Sequence, residues 1–229
     1  ASTHNFAGNK VKEHIIFFGH GKLKNYWSIN PIVSYNFRTL SDNALRGGPL
    51  VISPSGIWSR ISIRTDSRKS TIFGFDGNYQ ESENNSYSVR FSPNVNMNIG
   101  TRLRLIFDIN IQNEIRPYQY IDSFDDESAV QMLGCRHIVG EMNRNTVSTE
   151  MRVDYTFTPK LSLQAYLQPY ITVASYSRFK EYTNPESYDF VEYGVTDDMD
   201  MEIDGNNGYL LYPNGKDKDN LYLEKPDFN

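Results

Sequence analysis

Residues 87–99, YSVRFSPNVNMNI, alternate without a break. Tyr87, Val89, Phe91, Pro93, Val95, Met97 and Ile99 fall on one side, and Ser88, Arg90, Ser92, Asn94, Asn96 and Asn98 on the other. Successive side chains of an extended strand point to opposite faces, so a period of two predicts a strand with one face in an apolar medium. The same period runs along six further segments. Residues 23–37 set Leu23, Trp27, Ile29, Pro31, Val33, Tyr35 and Phe37 against Lys24, Ser28, Asn30, Ser34 and Asn36, with Asn25 dissenting. Residues 57–66 set Ile57, Ile61 and Ile63 against Trp58, Arg60, Arg64 and Asp66, and residues 71–80 set Phe73, Phe75 and Tyr79 against Asp76, Asn78 and Gln80. Residues 102–113 set Leu103, Leu105, Phe107, Ile109 and Ile111 against Arg102, Arg104, Asp108, Asn110 and Gln112. Residues 147–157 set Val147, Met151, Val153, Tyr155 and Phe157 against Glu150, Arg152 and Asp154. Residues 161–175 set Leu161, Leu163, Ala165, Leu167, Ile171 and Val173 against Ser162, Gln164, Gln168 and Thr172. The pattern predicts seven strands in an all-β, antiparallel, up-and-down meander, and no amphipathic helix.

Strand length narrows the architecture. Globular strands run about five or six residues, whereas these run roughly ten to fifteen; a strand that crosses a bilayer needs roughly nine to eleven. No apolar face carries a charge. Tight connections at 66–69, 98–101 and 158–160 alternate with longer ones at 38–56, 81–85, 114–145 and 178–220. Outer-membrane barrels sort short turns to one side and long loops to the other; a sandwich has no reason to do so. The expectation is therefore part of a transmembrane β-barrel, with a soluble β-sandwich as the alternative. Trp27, Ile29, Val33, Tyr35, Val89, Phe91, Val95, Leu103, Leu105, Phe107, Val153, Tyr155, Leu163 and Leu167 are expected to face lipid. Trp27, Phe37, Trp58, Tyr155, Phe157 and Tyr176 suit interfacial aromatic girdles.

Composition adds bounds. The chain has 229 residues and a formal net charge of −5, which argues against general nucleic-acid binding. A single cysteine, Cys135, excludes an internal disulfide. No apolar run reaches the length of a membrane helix. The first residues, ASTHNFAGNKVKEH, lack the apolar stretch of a signal peptide, so residues 1–20 are expected to be a tail or partial strand, following a removed signal or an excision. The whole chain is expected to be one domain, with 178–220 a long acidic loop.

Three stretches resemble a known family. NALRGGPLVISPSGIWSRISIRTDSRKS, YTFTPKLSLQAYLQPYITVASYSRFKEYTNPESYDF and YLEKPDFN are similar to segments of a Bacteroidetes outer-membrane barrel of unknown function. That domain usually follows a module similar to family-nine carbohydrate-binding modules. The resemblance covers most of the chain from about residue 20. It implies an outer-membrane location in a Gram-negative bacterium, lipid as a partner, and a saccharide or other small solute as ligand. The module and the closing strands have no counterpart here. With seven strands predicted where single-chain barrels have even numbers, a fragment completed by remaining strands or partner chains is expected.

Candidate chemistry is sparse. The second face carries Arg60, Arg64, Arg90, Arg102, Arg104 and Arg152 against Asp66, Asp76, Asp108, Glu150 and Asp154. That set fits either a lumen favouring anionic solutes or a ladder of mutually paired charges. Asp200, Glu202 and Asp204, followed by Gly205, hint at a calcium loop, but Glu202 stands where Asp or Asn is wanted and Leu211 occupies the position of the bidentate Glu. Cys135 and His137 are too few for zinc, and a nucleophilic pair would need a third orienting group. No catalytic or cofactor motif is found. Arg46, Gly47, Gly48 and Pro49 form a backbone feature that could fold into a barrel mouth. YSRFKEY, 176–182, mixes aromatics and cations, as a sugar-binding loop or an interfacial strand end would. Three functions follow: an outer-membrane barrel that binds or passes a small solute, an outer-membrane enzyme with an active site at its rim, or a soluble β-rich binding or structural domain.

Overall fold

In a computed structural model, residues 1–205, 208–216 and 220–228 are described. The fold is all-β and antiparallel. The strands are β1 (Ser2–His4), β2 (Lys10–Phe18), β3 (Gly21–Lys22), β4 (Ser28–Asn36), β5 (Thr39–Ser41), β6 (Val51–Ser53), β7 (Gly56–Arg64), β8 (Thr71–Ser82) and β9 (Tyr87–Ile99). They continue with β10 (Leu103–Asp125), β11 (Cys135–Thr158), β12 (Leu161–Leu167), β13 (Tyr170–Tyr182), β14 (Phe190–Glu192), β15 (Asp200–Asp204), β16 (Gly208–Tyr212) and β17 (Leu221–Glu224). The main sheet has the order β1-β2-β4-β7-β8-β9-β10-β11-β13-β14, with β12 also on β11 and β3 on β4. β5–β6 and β15-β16-β17 form two small separate sheets.

The predicted meander is present, and β9 has the bounds that its alternation sets. Four expectations need correction. First, the main sheet has an eighth long strand, β2, where a tail or partial strand was expected. Its sequence KVKEHIIFF ends in four consecutive apolar residues, which hides the period. β12 and β13 make one line along β11: Leu167 lies opposite Met151 and Tyr170 opposite Ser148. Pro169, which has no N–H to give a ladder, marks the break between them.

Second, 114–145 is not a long loop. β10 and β11 continue side by side to Asp125 and Cys135, and a short 126–134 loop with a 3-10 turn at Val130–Met132 closes them. Bulges at Arg116/Gln119 and Tyr120/Asp122 accommodate Pro117 and bend the extension. Third, 178–220 is not a single loop: β13 runs to Tyr182 and pairs β14, and β15–β17 follow. Fourth, Trp27 precedes β4, and Arg102 sits in the 100–102 turn where its carbonyl accepts from the Thr156 N–H at 2.8 Å, so Arg102 is not a strand residue of the second face.

Burial separates the two ends of the molecule. One core cluster joins Ile138, Phe179, Tyr193, Met199, Leu211 and Leu223; another joins Leu45, Val51, Met132, Val139 and Tyr182. Both lie at the long-connection end. The apolar face of the meander has no such cover. Val33 is 45% exposed, Phe73 58%, Phe91 51%, Leu163 52% and Ile171 68%. The register keeps these side chains on one outer surface: Leu105 faces Met97 on one side and Val153 on the other, and Val95 faces Phe73. Among the described residues, no second sheet packs against that surface, and no ladder joins the β1–β2 edge to the β13–β14 edge. On the free edge of β13, Phe228 forms an antiparallel bridge with Ala174 through N–H to O bonds of 2.8 and 3.1 Å.

Candidate functional site

The opposite, inner face gathers the polar side chains into lateral rows, because antiparallel partners directly opposite share a face. One row runs Arg60, Asn78, Arg90, Gln112, Thr146 and Thr172 across six strands. The next row toward the long-connection end runs Trp58, Gln80, Ser88, Glu114 and Arg144. Toward the tight-turn end, Arg64, Gly74, Asn94, Asp108 and Glu150 form another. Trp58 therefore belongs to the inner face, and its assignment to an outer aromatic girdle is corrected. So is that of Tyr176, which is half-buried against the core at the long-connection end and whose hydroxyl donates to Met142 Sδ at 3.3 Å.

Some inner charges are paired and some are not. Arg60 contacts Asp76 at 2.6 Å and Arg152 contacts Asp154 at 3.2 Å. Arg104 donates to Asn96 at 3.4 Å. Arg90 donates to the Gln112 amide oxygen at 2.9 Å, and Gln112 donates in turn to Ser88 at 3.3 Å. Among the described residues, Arg46, Arg64, Arg90 and Arg104 have no carboxylate in ion-pair reach. Glu114 is buried and shared by Arg116, at 2.6 Å, and Arg144. Sequence reasoning missed Glu114, Arg116 and Arg144, since each lies beyond the ends then given to its strand.

Two adjoining hollows open onto these rows. The larger, about 500 Å³, lies between the 43–56 loop, the β8–β9 turn and β10. Asn43, Arg46, Gln80, Ser88, Arg116 and Tyr120 are among its walls. The smaller, about 300 Å³, is lined by Trp58, Asn78, Gln80, Arg90, Gln112 and Arg116. A third hollow, of about 460 Å³, lies toward the tight turns, with His20, Tyr26, Arg64, Asp76 and Asp108 in its walls.

The Arg46-Gly47-Gly48-Pro49 loop forms part of the upper wall. Leu45 and Val51 are buried in the second core cluster and anchor it. Between them Arg46 (φ 49) and Gly47 (φ 113) take left-handed backbone. A Cβ on Gly48 would lie 2.6 Å from His137 Nε2, so glycine lets the loop lie flat on the buried imidazole. Among the described residues neither ring nitrogen of His137 has a partner, and burial pushes its pKa down, keeping it neutral. Arg46 then crosses Tyr120 at 5.0 Å from the ring centroid.

Ion pairs tie the surrounding loops together. Arg136 contacts Asp126 at 2.6 Å and Glu181 at 2.5 Å, and the Tyr193 hydroxyl donates to Glu181 at 3.0 Å. Burial pushes Glu181 up, whereas hydrogen bonds from Ser128 and Arg136 bring Asp126 down to about 2. Arg38 grips Glu83 through two 2.8 Å bonds and holds it well below the usual carboxylate range. Ser55 and Tyr188 also donate to Glu83, so three connections meet there. YSRFKEY accordingly serves as a structural strap. Phe179, Lys180, Glu181 and Tyr182 are all buried, and Arg178 (φ 52) pairs with Glu141 and Glu192.

Among the described residues, the acidic stretch does not fold as a calcium loop. Asp200, Glu202 and Asp204 lie on β15, where alternate residues stand about 7 Å apart, and Glu202 is occupied by Lys216 at 2.5 Å. Among the described residues no group of three potential metal ligands comes together. Cys135 and His137 share a strand, but the Cys135 thiol donates to Asp125 at 3.3 Å, and that bond and charge push the thiol up, away from nucleophilic use.

The family model for a domain of unknown function, DUF5916, matches residues 9–205. The chain belongs to this family. The matched span contains all eight long strands, the inner rows, the 45–49 loop and the YSRFKEY strap, so the hollows are built from family sequence. Comparison with curated proteins and with solved structures gives no match.

Proposed function

We propose that this member of the DUF5916 family is an outer-membrane β-barrel protein of a Gram-negative bacterium that binds or passes a small polar solute through its inner face. The single observation that carries the reading is the uncovered apolar outer surface. Burying a large aliphatic or aromatic side chain contributes about 1.5–3 kcal/mol, and the meander leaves more than a dozen of them exposed on one face while building its dry core elsewhere. Such a face calls for an apolar solvent. From Val89 to Ile99 its height is about 34 Å along the strand, or roughly 26 Å at a tilt near 40°, against an apolar band about 25 Å tall in outer-membrane barrels. The free edges of β2 and of β12–β13 expose ladder groups that lipid cannot satisfy, so further strands or a partner chain complete the wall. The Ala174–Phe228 bridge is the beginning of such pairing on the β13 side.

The test is migration on gels after extraction of outer membranes in mild detergent. The expected result is a shift on boiling together with resistance to carbonate extraction. Release by carbonate, with no shift on boiling, refutes the barrel and returns the outer face to the core of a soluble sandwich.

A further inference from the structure

Resting on the barrel reading, we infer that the two joined hollows at the long-connection end bind an acidic saccharide: a pyranose ring, or a short chain of them, carrying a carboxylate or phosphate. Charge comes first. Arg46, Arg90 and Arg116 line the hollows, and the sole carboxylate among the lining residues, Glu114, is already shared by Arg116 and Arg144. Among the described residues, Arg90 holds only the Gln112 amide. The site therefore keeps a net positive charge, in contrast to the hollow near the tight turns, where Asp76 and Asp108 balance Lys22 and Arg64. Guanidinium forks match the two oxygens of a carboxylate or phosphate.

The remaining walls select more than an anion. Trp58 is half-buried on the inner face, where an indole has no lipid to meet. Its flat face suits the C–H face of a sugar ring, as aromatic side chains with one apolar face commonly do. Asn78, Gln80 and Gln112 surround it with carboxamides, which both donate and accept, as hydroxyl groups require. An inorganic anion would leave the indole and amides unused; a neutral sugar would leave the arginines unpaired. A volume near 500 Å³ lies in the range of small-molecule sites, roughly 300–1,000 Å³.

The chain has two tryptophans, so Trp27→Phe leaves Trp58 as the sole indole reporter. The full chain carrying that change, folded in detergent, is titrated with trigalacturonate, glucose 6-phosphate and maltotriose while Trp58 emission is followed. Migration with and without boiling is recorded on the same sample. Expected is a saturable change with at least one acidic probe, and binding of maltotriose about tenfold weaker or more. Arg90→Gln, in protein that still shifts on boiling, weakens the acidic probe about tenfold. The better of the two acidic probes tells whether carboxylate or phosphate is the preferred anion. Calorimetry with Trp58→Leu checks the stacking contact independently of fluorescence, and a comparable loss is expected. Protein that shifts on boiling but binds neither acidic probe overturns this inference and leaves the barrel standing. Equal binding of maltotriose, or no effect of Arg90→Gln, overturns it as well. Protein that fails to shift on boiling overturns the barrel reading and this inference with it.

Discussion

Phe107 is the most direct place to ask what solvent the outer face meets. It lies midway along the apolar run of β10, opposite Val95 on β9 and Met151 on β11, and is 37% exposed. Ile99 is on the same surface but at the tight-turn rim, level with Leu103 and about 13 Å farther along the strand. Placing arginine at the lipid-facing midplane of a barrel costs about 2–4 kcal/mol, and near an interface about 0–1. Phe107→Arg is therefore expected to lower the unfolding free energy by about 2–4 kcal/mol, a factor of about 30 or more in the equilibrium, and Ile99→Arg by less than about 1. The assay is guanidinium unfolding of protein folded into phosphatidylcholine vesicles. Depth dependence is what separates the two solvents. On a water-facing sheet, exposed substitutions cost within about 0.5 kcal/mol, and the arginine stem could lie over Val95 and Met151 with its charge hydrated. Equal and small losses for both variants would refute the lipid assignment, whatever the gels show.

Gly48→Ala drives a Cβ to within 2.6 Å of His137 and 2.9 Å of Leu45 Cβ, and overpacking of this kind costs about 1–3 kcal/mol; faster proteolysis within residues 43–51 and loss of Leu45 protection in hydrogen exchange should report it. Gly47→Ala meets no atom within 4 Å and only bears the cost of left-handed backbone, about 1 kcal/mol, so its effect on the same exchange should be smaller. The 126–134 loop should answer pH with two opposite signs. Asp126, lowered to about 2 in the fold, contributes stability present above its unfolded pKa near 4 and lost as pH falls toward 2. Glu181, raised by burial, contributes the reverse, so acidification from neutrality through its folded pKa should first tighten this region. Hydrogen exchange should therefore be flat or slower on moving from pH 7 toward 4.5 after correction for intrinsic rate, and loosen only below about 4; Glu181→Gln should abolish the first effect and keep the second. A monotonic loosening from pH 7 would contradict the Glu181 assignment, and no loosening below about 4 the Asp126 assignment.

What was legible in the chain follows from where a residue's neighbours are simple. Between 57 and 113 each strand has apolar groups on one side and polar groups on the other, so side-chain parity alone set the strands and the two faces, while the row of Arg60, Asn78 and Arg90 needed the register. Parity also places Trp58 inward, although an aromatic near a strand end suits a girdle, and the register with Gln80 agrees with parity. The pattern failed wherever two environments meet. In the β10–β11 extension, one face packs the 43–51 loop and the other the β15–β17 sheet, so both faces are covered in turn and the segment follows no single period and reads as loop. The same cause hid the charges that give the site its sign: Glu114, Arg116 and Arg144 lie just past the last alternating residues of their strands. In YSRFKEY the charged residues are buried, because Lys180 finds Glu192 at 3.7 Å and the Tyr118 ring at 4.9 Å, and Glu181 finds Arg136 and Tyr193. Those partners come from segments 12 to 62 residues away, a distance at which period and composition carry no information. The transition from legible to illegible thus coincides with the level where the uncovered apolar face of the meander ends and the loops begin to supply a core of their own. That level is also where the arginine-lined hollows open, so the feature proposed to recognise a solute is built from residues of both regimes: Trp58, Asn78 and Arg90 from the periodic sheet, Arg46 and Arg116 from the packed end.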